Sequence, residues 1–208
     1  MASTTFQGSI FVPGDLTLSG EIVPGIARSS LVQDDLQNYV IPFRDWRIAD
    51  NLSSLIPATA ASDDLGMDGE TFGTETPFLV TSDAKATTVT QYGRFQFALP
   101  PEYVSGQSVR IQVKAGMKTT ISDGTATVDF QVYESDDDGG VGADLCATAA
   151  QSINSLTQAT LNFDVTATSL AAGDLLDCRM TVAITDSATS TAVLGKVSRC
   201  SVLADIKG

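Results

Sequence analysis

The feature that most constrains this 208-residue chain is a period-two alternation running through its C-terminal two thirds. Phe95, Phe97 and Leu99 alternate with Arg94, Gln96 and Ala98, and Val109, Ile111, Val113 and Ala115 with Arg110, Gln112 and Lys114. The pattern returns in Val128, Phe130 and Val132, in Leu161, Phe163 and Val165, and in Leu176, Cys178, Met180, Val182 and Ile184. Successive side chains of a strand point to opposite faces, so each run offers one face to a core and one to water. The groups Pro100-Pro101-Glu102-Tyr103, Ser122-Asp123-Gly124 and Ala171-Ala172-Gly173-Asp174 separate the runs as turns. The last run, 191–206, changes phase near Val197 to Cys200, which predicts a bulge. With shorter strands expected at 78–81 and 144–149, about eight strands result, the number of a jelly roll. The expected fold is all-β: an antiparallel two-sheet sandwich, jelly-roll-like, in residues 72–208. An immunoglobulin-like sandwich lacks its Cys…Trp…Cys pattern here.

The first quarter is different. From Phe6 to Gly25 the chain reads FQGSIFVPGDLTLSGEIVPG, with Gly8, Gly14, Gly20 and Gly25 punctuating short β-prone pieces. Each piece is too short to build a core, and a lone hairpin is marginal in water. Residues 1–28 therefore read as an extended arm whose pairing partners come from another chain. Residues 29–71 read as a connector. Within it, Ser30-Leu31-Val32-Gln33 fits a capping box and predicts a short helix over 31–39, ended before Pro42. Phe43, Trp46 and Ile48 give the connector a large apolar content. Trp46 is the sole Trp; it either packs on the sandwich or anchors a subunit interface, where Trp and Arg are enriched.

Charge and residue usage narrow the function classes. The net charge is −13, from 12 basic and 25 acidic residues, so phosphate backbones repel the chain and no nucleic-acid partner is expected. There is no histidine, which removes the commonest general base and metal ligand and every Ser-His-Asp arrangement. No enzyme activity and no cofactor are expected. Cys146, Cys178 and Cys200 lack C-x-x-C spacing; a Cys178–Cys200 bridge requires neighbouring strands. No apolar run has the length of a membrane span and the N-terminus lacks a signal pattern, so no membrane partner is expected and synthesis is expected in a cytoplasm.

Two local motifs are site candidates. The loop Glu134-Ser135-Asp136-Asp137-Asp138-Gly139-Gly140 leads to Asp144, and Asp136, Asp138 and Asp144 could offer hard oxygen ligands to Ca²⁺. It is no EF-hand, and its plainer reading is a solvated loop between strands. Arg44, Arg47 and Arg94 stand out because cations are scarce; they pair with acids of their own chain or of a neighbour.

The arm GSIFVPGDLTLSGEIVPGIARSSL, the connector VIPFRDWRIADNL, the stretch GRFQFALPPEYVSGQSVRIQVKAGM and the acidic-Gly segment VDFQVYESDDDGGVGADLCATAAQSINSL together resemble structural proteins encoded in tailed-phage genomes. The likeness covers nearly the whole chain, with the Leu-Pro-Pro-Glu-Tyr turn and the acidic loop before Asp144-Leu145 as its best-marked motifs. It implies a virion component: a capsid decoration, or cement, protein that binds the outside of the major capsid protein shell as a homotrimer. The resemblance carries over no catalytic residues. On this reading the interface residues are Ile10, Val12, Leu16, Leu18 and Ile22 of the arm with Phe43, Arg44, Trp46 and Arg47 of the connector. A trimeric tail-fibre or receptor-binding component is the alternative. A carbohydrate-active enzyme or Ca²⁺-dependent lectin module is the third class.

Overall fold

The structure is a computed structural model and describes residues 36–54, 63–69, 71–121, 124–135, 142–187 and 190–206. Ten strands follow in chain order: β1 (Leu36–Val40), β2 (Gly66–Asp68), β3 (Phe78–Val80), β4 (Thr88–Ala98), β5 (Val109–Met117), β6 (Thr125–Glu134), β7 (Gln151–Ser152), β8 (Ala159–Val165), β9 (Leu175–Thr185) and β10 (Gly195–Asp205). Sheet A has the order β2-β3-β10-β5-β8, with β1 also on β10; sheet B has the order β4-β9-β6-β7. Every pairing between these strands is antiparallel. The chain is thus an all-β, jelly-roll-like sandwich, as the alternation predicts.

The inward residues of the two sheets meet in one core. Val109, Ile111, Val113 and Ala115 of β5 are buried, as are Val128, Phe130 and Val132 of β6 and Leu176 to Ile184 at alternate positions of β9. The Phe130 and Phe163 rings meet across the layers with centroids 4.9 Å apart. Tyr103, in the Leu-Pro-Pro-Glu-Tyr turn, is buried at the end of the core and donates its hydroxyl to the Gln107 carbonyl at 2.6 Å. Cys178 and Cys200 are buried, free thiols on opposite sheets, not a disulfide, and burial pushes both pKa values up.

The phase change in the last strand is a bulge, with a register shift between Val197 and Arg199. It divides β10 between two neighbours on one edge. Lys196 and Val197 pair with β3 before the bulge, and Ser201 to Asp205 pair with β1 after it.

Three expectations are corrected. Residues 36–39, expected in a helix, lie in strand β1, while 31–35 fall outside the described residues. Long-range pairing prevails over the local capping signal: the distal half of β10 pairs with β1, and the Tyr39 ring packs against Phe97 at 5.5 Å. The helical piece of the connector is a single 3-10 turn, Phe43–Asp45. Next, 144–149 is not a strand; it makes one bridge, Cys146 to Val165, and the short strand lies further on, at β7. Last, the connector of 29–71 supplies β1 and β2 to sheet A, so these described parts of it belong to the sandwich.

Trp46 shows why. It is 1% exposed, its ring centroid lies 4.9 Å from that of Phe95, and it rests on the backbone of β4 at Gly93. A Cβ built on Gly93 would sit 2.9 Å from the indole ring, closer than real contacts allow. The glycine therefore makes the seat for the indole. Trp46→Ala is expected to cost about 3–5 kcal/mol in urea unfolding. Gly93→Ala should destabilise the parent chain clearly and the Trp46→Ala chain much less, because the two residues share one contact. Equal costs in both backgrounds would show that the seat is not specific to the indole.

Candidate functional site

The connector residues expected at an interface serve the sandwich itself. Trp46 is buried; Phe43 is half-buried and packs against the core. Arg47 donates to the carbonyls of Arg44 at 2.6 Å and Trp46 at 3.1 Å, holding the 3-10 turn closed. Arg44 is exposed, with Nε 3.5 Å from an Asp45 carboxylate oxygen. Of the four, only Arg44 projects freely. The arm residues Ile10, Val12, Leu16, Leu18 and Ile22 lie outside the described residues.

The calcium reading is not supported where it can be followed. Asp144 Oδ1 accepts from the backbone N–H groups of Val132 and Cys146, both at 2.9 Å, so it ties a turn to the edge of β6. Asp136 and Asp138 lie outside the described residues. Among the described residues no cluster of three or more acidic, Cys or His side chains has metal-binding geometry, and no helix is long and apolar enough to cross a membrane.

Several of the scarce cations are engaged within the chain. On the outward face of sheet B, Arg94 makes a forked pair with Asp177, with Nε to Oδ1 at 2.6 Å, and also donates to the Ala49 carbonyl at 3.1 Å. Arg179, across from Arg94 in the register, stacks 4.9 Å from the Tyr92 ring and donates to Gln131. On sheet A, Arg110 pairs with Asp164 at 2.6 Å and Gln112 donates to Asn162 at 3.0 Å. At the far end of that sheet Lys118 and Lys196 flank the Phe78 ring at 4.7 and 4.0 Å, and Lys118 also holds Asp68. The Lys118 hydrogen bond, helped by the Gly69 N–H, keeps the Asp68 carboxyl below the usual carboxylate range. Sequence patterning puts these groups on the outer faces; the strand register alone says which acid meets which base.

The sheet edges differ from one another. An exposed row of unpaired backbone groups invites another chain to pair. The β4 edge is covered: Arg94 exchanges both backbone hydrogen bonds with Arg47, at 2.8 and 3.0 Å, and Tyr92 bonds Leu65 and Asp63. The β6 edge meets Leu145, Ile153 and β7. The β8 edge meets Leu145 and Ala147. β2 is only three residues long. β1 is five residues, LQNYV, without charge, proline or bulge. Its Ile41 neighbour donates to the Cys200 carbonyl at 2.9 Å, so by antiparallel alternation Gln37 and Tyr39 also bond β10. Leu36, Asn38 and Val40 then aim their backbone N–H and C=O groups away from the sheet. Among the described residues no backbone group meets them, and the Val40 residue is 53% exposed. The β1 edge is the candidate site, and no sequence signal marks it because five mixed residues carry no clear period.

No protein-family profile matches the chain, and no curated protein does. Among solved structures the chain is similar to the CBM22-1 xylan-binding domain of Paenibacillus barcinonensis Xyn10C, with 12% identity, a TM-score of 0.43, and 84% of this chain and 97% of that one covered. It is also similar to the xylan-binding module CBM15, with 12% identity, a TM-score of 0.44, and 83% and 99% covered. A family 16 carbohydrate-binding module shares 9% identity, with a TM-score of 0.37 and 67% and 85% covered. These likenesses concern the sandwich fold.

Three of the ion pairs give separate tests. Asp177→Ala strands the half-buried Arg94 guanidinium and is expected to cost about 1–3 kcal/mol in urea unfolding, against near zero for Asp45→Ala beside exposed Arg44. For Asp68 the folded pKa is depressed, so its contribution is full above the unfolded value, about 3.9, and is lost as pH falls through the folded one. Asp68→Asn should therefore cost under about 1 kcal/mol at pH 7, with the difference from the parent vanishing as the pH falls through the depressed folded value. A difference that persists at low pH would place its origin outside the charge.

Proposed function

We propose that this chain is a decoration protein of a tailed-phage capsid, a non-catalytic virion component that binds as a trimer to the outside of the major capsid protein shell. One observation carries the reading. The sandwich draws its aromatic anchors, including Trp46, into its own core, and among the described residues nothing pairs with the outward edge of its first strand, β1, while the sequence before it holds an apolar Gly-punctuated arm. Such a chain has a finished body and a spare apolar segment for fastening. The sequence resemblance to phage structural proteins supplies the context, and the net charge of −13 suits a partner that is protein rather than nucleic acid.

In this proposal the arm supplies the binding energy of the assembly, against sister chains and against the shell. Ile10, Val12, Leu16, Leu18 and Ile22 each contribute roughly 1.5–3 kcal/mol when fully buried, before the costs of association. Three arms on one trimer bind with avidity. The sandwich then stands on the shell surface and bridges neighbouring capsomers. A receptor-binding component is the second reading, favoured by the side-by-side Tyr92, Arg179 and Gln131 on the outward face of sheet B. Copy number separates the two, being high for a shell protein and low for a fibre.

The structure sets the cut for the test. Removing residues through 55 would take β1 and Trp46 with the arm, so the shortened chain should begin at Asp34. Co-sedimentation with undecorated shells should show saturating binding by the full chain and none by the shortened one, with both unfolding cooperatively in urea. Full binding by the shortened chain would overturn the role of the arm. No binding by either would overturn the decoration reading.

A further inference from the structure

We infer that the open edge of β1 is the docking site for the arm of a second copy of this chain, which adds a strand to sheet A through its piece Ser9-Ile10-Phe11-Val12. The inference deepens the decoration reading by naming what holds the multimer together, and it rests on that reading for its multimeric state alone.

Strand addition needs a row of unpaired backbone groups, little charge and an incoming segment of matching length. The edge supplies the first two. Leu36, Asn38 and Val40 direct their backbone groups outward, and β1 contains no charged residue. The long edges of β4, β6 and β8 are covered by other segments of the same chain, which leaves β1 as the pairing edge of length among the described residues. The arm supplies the third. Its pieces are Ser9 to Val12, Leu16 to Leu18 and Glu21 to Val23. Leu16 follows Asp15 and Glu21 is itself acidic, whereas Ser9 to Val12 is four residues without charge. An uncharged piece matches an edge that itself carries no charge. Pro13 cannot donate to a ladder and closes the piece.

The arm is long enough to reach a neighbour. The chain between Val12 and Leu36 holds 23 residues and can span up to roughly 80 Å when extended, about twice the width of a domain of this size. Exchange around a ring of three such arms closes the assembly and leaves no β1 edge open.

The test uses the full chain without shells, so its outcome is independent of shell binding. Asn38→Pro removes an outward donor while Gln37 and Tyr39 keep their bonds to β10, and Phe11→Pro alters the incoming piece without touching the sandwich. Light scattering should give a multimer for the parent and a monomer for both variants. The Val40 amide should exchange at least about tenfold faster in both. A multimer in both variants would overturn the inference. So would a monomeric parent with a protected Val40 amide, which would mean that each arm pairs with its own β1. A chain beginning at Asp34 that remains multimeric with Val40 protected would overturn it in favour of β1 pairing with β1. Should Asn38→Pro fail to fold, Phe11→Pro decides alone.

Discussion

Sheet A depends on how the two edges of β10 are shared. One edge is paired along its length with β5. The other is divided at the bulge between Val197 and Arg199, with β3 on the near side and β1 on the far side. Two separate pieces of chain, 36–40 and 78–80, thereby pair along the same edge of β10.

The other side of the sandwich is fastened by a different device. Trp46 sits in the space left at Gly93, against Phe95, and Arg47 pairs with Arg94 through the backbone. The same Arg94 side chain reaches both Asp177 and the Ala49 carbonyl. One short segment of the connector thus covers the β4 edge, fills a core position and helps orient a half-buried ion pair. Its aromatic residue cannot also be an exposed anchor.

Much of the fold was legible because alternation encodes which face is buried. Phe95, Ile111, Phe130, Phe163 and Met180 are all inward, as their spacing requires. The bulge was legible too, since a phase slip in a strand leaves no other solution. The helix expected over 31–39 failed at its described end for the opposite reason: a capping box is a local preference of a few tenths to about 1 kcal/mol, and pairing with β10 outweighs it. Of the candidate site, the arm, read from the sequence as a segment short of partners, lies outside the described residues. The β1 edge was not legible, because its openness depends on which other edges are covered, and Arg47, Leu65, Leu145 and Ala147 reach theirs from distant parts of the chain.

The sequence by itself determined the fold class, the inward residues, the bulge, the scarcity of cations and the absence of histidine, all of which follow from residue types and period. Only the tertiary structure decided that Trp46 is core, that Asp144 ties a turn, that Cys178 and Cys200 stay free, and that Arg94 belongs to Asp177. Those outcomes depend on register and on sheet order. Both are set by contacts between residues far apart in the chain, which no local pattern records.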